Sequence, residues 1–129
     1  MTTKSHTTFG IFIPQGWKME LVSIPEPTDK WKKAVEVAQL AEKLGFDSIW
    51  VYDHFHNVPR PAHETVFECW TVMSAISQLT STIRLGQMVG CNLYREPSLL
   101  AKITSTLDVI SGGRLDWGIG AGWYENECR

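Results

Sequence analysis

Short apolar runs alternate along this chain with stretches in which apolar residues recur every three or four positions. Phe9-Gly10-Ile11-Phe12-Ile13 is a β-rich run closed by Pro14 and Gly16. Beyond Pro25 and Pro27, Thr28 suits a helix N-cap and Asp29 its first turn. Trp31, Ala34, Val35, Ala38, Ala41 and Leu44 then form one apolar helical stripe, which Gly45 stops. Phe46 to Tyr52 reads as a second strand, followed by a loop with Pro59 and Pro61. From about Glu64, the residues Cys69, Val72, Met73, Ile76 and Leu79 give a second stripe. Ile83 to Val89 is a third strand. Pro97 suits the first position of a third helix, whose buried face is Leu100, Ile103, Leu107 and Ile110 and which Gly112-Gly113 ends. Arg114 to Ile119 is a fourth strand, and Gly120-Ala121-Gly122 turns out of it.

The predicted order is β-α-β-α-β-α-β. Strands alternating with helices imply a parallel sheet with right-handed crossovers. The pattern alone leaves two α/β architectures open, a doubly wound sheet and part of a (β/α)8 barrel. A full barrel takes about 250 residues, or about 31 per βα unit. The 129 residues here therefore supply about half of one. No linker divides residues 1–129, which read as the N-terminal part of a single domain. Because the chain stops at Trp123-Tyr124-Glu125-Asn126-Glu127-Cys128-Arg129 with an inner strand unpaired, it is expected to be truncated from a longer protein.

Composition narrows the function classes. Hydrophobic residues make up 43% and charged residues 20%, a globular balance, not a disordered one. The net charge of -2, with Lys and Arg scattered, gives no basis for binding nucleic acid or an anionic membrane. No stretch approaches the roughly 20 apolar residues of a membrane span, and Met1 to Thr8 has no signal-peptide core. Cys69, Cys91 and Cys128 form no paired spacing, which fits a reducing cytoplasm better than a disulfide scaffold or zinc cluster. The 6 tryptophans read first as core fillers.

In parallel α/β folds, ligands bind beyond the C-terminal ends of the strands. That rule selects Pro14, Gln15 and Gly16; Asp53, His54, Phe55 and His56; Val89, Gly90, Cys91 and Asn92; and Gly120, Gly122 and Trp123. Asp53-His54 is the most pointed pair. A histidine there can act as general acid or base, and the aspartate can accept a hydrogen bond from a cofactor. The alternative is a pair that only caps a loop. His54 and His56, near His63 and Glu64, could face one metal ion, but no recognised ligand spacing accompanies them and no metal is expected. His6 reads as a solvated tail residue. Gly118-Ile119-Gly120-Ala121-Gly122 follows a strand as a dinucleotide fingerprint would, but Trp123 stands where its last glycine belongs. No G-x-x-x-x-G-K-[ST], G-x-S-x-G or H-E-x-x-H occurs. Cys91 lacks a base partner in sequence and reads as a packed thiol. Arg95 could contact a phosphate or pair with Glu96.

Taken in order, Phe9-Gly10-Ile11-Phe12-Ile13-Pro14-Gln15-Gly16, Leu44-Gly45-Phe46-Asp47-Ser48-Ile49-Trp50-Val51-Tyr52-Asp53-His54-Phe55, Arg84-Leu85-Gly86, Asn92-Leu93-Tyr94-Arg95-Glu96-Pro97, Leu107-Asp108-Val109-Ile110-Ser111-Gly112-Gly113-Arg114-Leu115 and Gly118-Ile119-Gly120-Ala121-Gly122-Trp123 resemble the luciferase-like monooxygenase superfamily. The resemblance is strongest to the branch that uses the deazaflavin coenzyme F(420). It implies a TIM-type barrel and a flavin or deazaflavin held at the strand ends. It places Asp53, His54, Val89, Gly90, Cys91, Asn92, Gly120 and Gly122 at the cofactor, Gln15 and Trp123 on the substrate side, and a bulge with a non-prolyl cis peptide near Met88, Val89 and Gly90. Trp123 replaces an acid found in some deazaflavin members, so no acid/base role transfers to it.

The expected activity is hydride transfer to or from coenzyme F(420) on a small organic substrate, with His54 as acid or base. FMN with molecular oxygen, as in a monooxygenase, is the first alternative, and an inactive or self-associating half barrel the second. A homo-oligomer is expected, with no nucleic-acid or membrane partner.

Overall fold

The computed structural model describes residues 7–60 and 62–128; His6 and Pro61 lie outside them. The strands are β1 (Gly10–Phe12), β2 (Ser48–Val51), β3 (Arg84–Cys91) and β4 (Leu115–Gly120), and the helices α1 (Pro27–Lys43), α2 (Cys69–Ser77) and α3 (Pro97–Ser111). The strands pair in sequence order, all parallel, with Ile11 beside Ile49, Ile49 beside Leu85 and Leu85 beside Leu115. This is a partial (β/α)8 barrel, four strands and the three helices that connect them. No helix among the described residues is long and apolar enough to cross a membrane.

Side chains alternate across the sheet. Ile49, Val51 and Leu85 point to the helix side, where they join Ala38, Ala41, Met73, Ile76 and Leu107 in one buried cluster. Burying each such Leu, Ile or Met contributes roughly 1.5–3 kcal/mol. Ser48 and Trp50 take the opposite face. The Trp50 indole lies across both neighbouring strands and fits there because they present glycine. A Cβ at Gly86 would sit 2.2 Å from the ring, and one at Gly10 2.4 Å from its nitrogen. At the β4 edge Trp117 and Ile119 remain 43% and 57% exposed.

Two helix starts differ from expectation. α1 begins at Pro27 with Glu26 as N-cap, so Thr28 lies inside the first turn. Proline's fixed φ and missing N–H suit the first position, and that outweighs a capping hydroxyl one residue later. α2 begins at Cys69, not near Glu64. The Glu68 carboxylate accepts the Trp70 and Thr71 N–H groups at 3.1 and 2.8 Å and fixes the start, while Glu64 is drawn to Lys30 Nζ at 2.6 Å. α3 starts at Pro97 and ends at Gly112, whose φ of 69° is the left-handed cap that glycine supplies.

At the N-terminal end of the sheet, Glu42 accepts the N–H groups of Ser81, Thr82 and Ile83 at 2.8, 2.6 and 3.0 Å. Burial raises its carboxyl, but these bonds outweigh it and hold the group at about 2. At the other end β3 and β4 shift register between Gln87 and Gly90, and the Met88–Val89 peptide there is cis, where the resemblance placed it.

Candidate functional site

The C-terminal ends of the strands surround a cleft of about 190 Å³, smaller than the roughly 300–1,000 Å³ that encloses a whole drug-sized ligand. It can receive one end of a ring system. Asp53, His54, Val89, Gly90, Cys91, Gly120, Gly122 and Trp123 line it, joined by Trp17, Tyr52, Met88 and Tyr94.

Two expected residues are elsewhere. Gln15 is 1% exposed. Its amide donates to the carbonyls of Tyr52 and Phe67 at 2.8 and 2.6 Å and accepts the Tyr52 N–H at 2.9 Å. It ties the end of β1 to the end of β2, a buried amide satisfied within the chain and outside the lining of the cleft. Asn92 is exposed and meets the site only through its backbone, donating to Gly120 O at 2.9 Å.

Asp53 lines the cleft, but its lone pairs are engaged from behind. Arg95 Nη1 and Nη2 donate to its two oxygens at 2.7 and 2.9 Å, the Cys91 N–H donates at 2.9 Å and the Cys69 thiol at 3.3 Å. An ionised carboxylate offers about four such sites. Asp53 therefore anchors β2 to β3, and the Arg95 pairing replaces both the phosphate and the Glu96 readings. Arg95 Nη2 also reaches Glu68 at 2.6 Å. Burial lowers the tendency of Arg95 to hold its proton, but its hydrogen bonds to Asp53 and the charges of Asp53 and Glu68 raise it further. Donor atoms of Asp53, Glu68 and Cys69 lie within 4.8 Å of one another, and the guanidinium contacts all three, occupying the place of a cation. Burial first, then the Asp53 and Glu68 charges, push the Cys69 thiol far up, which leaves it inert.

His54 is held on two sides. Its ring stacks on Trp17, with centroids 4.3 Å apart and planes 4° from parallel, and Trp17 leans in turn on Tyr52 at 4.2 Å. Nδ1 lies 2.7 Å from Glu127 Oε2. Among the described residues nothing hydrogen-bonds Nε2. The other Glu127 oxygen accepts the N–H groups of Phe55 and His56 at 2.6 and 2.7 Å, and the Tyr94 hydroxyl donates to Oε2. Burial raises the Glu127 carboxyl, but the bonds from Tyr94, His54, His56 and Phe55 outweigh it and hold the group below its ordinary value.

The glycines at the end of β4 and just beyond it make room chiefly for the chain itself. A Cβ at Gly120 would sit 2.7 Å from Val89 Cγ2, and one at Gly122, with φ of 83°, 2.8 Å from Cys91 Sγ. They seat the β3 bulge and the cleft wall.

Trp17, Tyr94 and Glu127 were not singled out by sequence. The strand-end rule stopped at Gly16, with Trp17 counted among the core fillers, and Glu127 carries no periodic signal. It reaches His54 because Gly122 turns the chain and a short 3-10 helix (Glu125–Glu127) brings the carboxylate back over β2.

A family profile described as luciferase-like monooxygenase matches residues 7–129. The chain belongs to the luciferase-like monooxygenase family. An F(420)-dependent glucose-6-phosphate dehydrogenase of Amycolatopsis mediterranei is 35% identical over 96 residues, which cover 72% of this chain and 28% of that one. The solved structure of an F(420)-dependent secondary alcohol dehydrogenase, in complex with an F(420)-acetone adduct, is 32% identical and superposes with a TM-score of 0.69 over 90% of this chain and 32% of that one. The oxygenating constituent of 3,6-diketocamphane monooxygenase from Pseudomonas putida, solved with FMN, shares the fold at a TM-score of 0.74 and 20% identity, over 93% of this chain and 31% of that one. This luciferase-like chain spans 41% or less of the length of these and other curated relatives it matches. Oxidoreductases that use F(420) or a flavin are thus its family.

Proposed function

We infer that this chain forms the ring-binding part of a coenzyme F(420)-dependent oxidoreductase, with His54 exchanging the substrate's proton through Nε2. The observation that carries this reading is the His54 ring, fixed by Trp17 and Glu127 with its second nitrogen unengaged at a flat-walled cleft. The residues present fit the ring end of a deazaflavin. The cleft is bounded by aromatic rings and backbone, and the Met88–Val89 segment and Gly90 form a wall with no charged side chain. Among the described residues the lining holds no Lys or Arg for a phosphate tail, and Arg95, behind Asp53, is spent on Asp53 and Glu68.

When bound, the deazaflavin supplies two-electron redox chemistry as a hydride acceptor or donor. The chain's own part is positional and protonic. Trp17 and Trp123 shield His54 from water, and Nε2 takes a proton from a hydroxyl substrate or returns it to a carbonyl. Two relatives, one named as a glucose-6-phosphate dehydrogenase and one as a secondary alcohol dehydrogenase, at 35% and 32% identity, support that substrate class.

Equilibrium dialysis against coenzyme F(420) and against FMN, followed by assay of F(420) reduction by 2-propanol, tests the reading. F(420) should be retained in preference to FMN, and His54→Ala should lower turnover by about 100-fold or more. Retention of FMN alone with oxygen uptake would establish the monooxygenase alternative. Full turnover by His54→Ala would remove His54 from the chemistry.

A further inference from the structure

We propose that Glu127 is the positioning residue that fixes the tautomer of His54, holding the proton on Nδ1 so that Nε2 presents a lone pair to the cleft. The proposal rests on the acid/base reading of His54 for its use, though not for its geometry.

The two oxygens of the Glu127 carboxylate have different partners. The Glu127 side chain is 0% exposed. Oε1 accepts two backbone N–H groups, from Phe55 and His56, at 2.6 and 2.7 Å. Backbone amides can only donate, so this oxygen is locked in its role. Oε2 faces His54 Nδ1 at 2.7 Å and the Tyr94 hydroxyl. An ionised carboxylate has no proton to give, and its hydrogen bonds keep Glu127 ionised below the ordinary range. The nitrogen that meets it must therefore be Nδ1–H. In a neutral imidazole the other nitrogen then carries the lone pair. Stacking on Trp17 opposes tilting of the ring out of this plane, and a flip within the plane would give up the Nδ1 bond to Glu127.

The same asymmetry makes the test sharp. In Glu127→Gln the amide oxygen must occupy the Oε1 place, because two N–H groups point there. The amide NH2 then faces His54, where it can only donate. That environment accepts the opposite tautomer, with Nδ1 bare and the proton on Nε2, and the base is lost without loss of side-chain volume. Tyr94→Phe removes one donor to Oε2 but keeps the carboxylate, so it should leave the tautomer unchanged.

The tautomer is read on the cofactor-free, 15N-histidine-labelled chain by long-range 1H–15N correlation, at a pH high enough for neutral imidazole. His54 should show a protonated Nδ1 and a bare Nε2 in the wild type and in Tyr94→Phe, and the reverse in Glu127→Gln. Glu127→Gln should also lower kcat by at least about 10-fold with KM nearly unchanged, since it alters proton exchange and not the shape of the cleft. A wild-type His54 protonated on Nε2 overturns the proposal, and that spectrum decides even if the variant fails to fold. A folded Glu127→Gln with the wild-type pattern overturns it too. If the tautomers behave as stated but His54→Ala turns over normally, the acid/base reading fails and the positioning geometry stands.

Discussion

Arg95 and Arg114 occupy opposite ends of the same parallel sheet, and their partners differ in kind. Arg114, entering β4, gives its hydrogen bonds to neutral oxygens: Ser111 O at 2.7 Å, Ser77 O at 2.6 Å, Ile83 O at 2.9 Å, Thr80 O at 3.3 Å and Thr80 Oγ1 at 3.0 Å. Ser77 and Ser111 end α2 and α3, where helix carbonyls lack partners of their own. Arg95, beyond β3, meets the carboxylates of Asp53 and Glu68. One guanidinium closes helix ends and the other neutralises acids beneath a cleft. Both hold the sheet together, Arg114 through neutral carbonyls at the N-terminal ends of the strands and Arg95 through buried charge beneath the C-terminal ends, where ligands bind in this fold.

Arg95→Met should break the comparison hardest. It leaves Asp53, 3% exposed, buried without its counter-charge, at a cost of about 3–5 kcal/mol in urea unfolding. Adding Asp53→Asn should recover part of that loss, which a double-mutant cycle would measure. Arg114→Met should cost less, about 2 kcal/mol, because the acceptors it strands are neutral and several can turn to water. It should leave coenzyme binding unchanged where Arg95→Met abolishes it. The smallest effect belongs to Glu42. Its folded carboxyl titrates at about 2 against an ordinary 4.5, so its contribution is complete above 4.5 and disappears as pH falls towards 2. Near the surface that contribution is screened, and Glu42→Gln should cost about 1 kcal/mol at neutral pH. The difference from wild type should vanish in acid unfolding curves near pH 2.

The order of elements was legible because each has local signals. Proline opens α3 and Gly112 closes it, and Ile49 and Val51 alternate with Ser48 and Trp50 across β2. The α2 start was not, since its cap is a long glutamate, Glu68, in place of the short side chains that usually mark a helix N-terminus. At the site, the strand-end rule located His54, Asp53 and the Val89 to Cys91 wall. It could not tell which strand-end groups face the cleft and which are consumed behind it. Asp53 and Arg95 are 42 residues apart, and His54 and Glu127 73, so their pairing depends on tertiary turns that no local period records. The burial of Gln15 was hidden for the same reason: its partners are Tyr52, just after β2, and Phe67, in the loop before α2.

Amide shift mapping of the 15N-labelled chain during titration with coenzyme F(420) tests the central claim most directly, because it reads both ends of the sheet at once. The account predicts saturable shifts at His54, Gly90, Cys91, Gly122 and Trp123, with Thr82, Gly112 and Arg114 silent. Shifts gathered around Arg114, or none at the strand ends while the coenzyme binds, would contradict it.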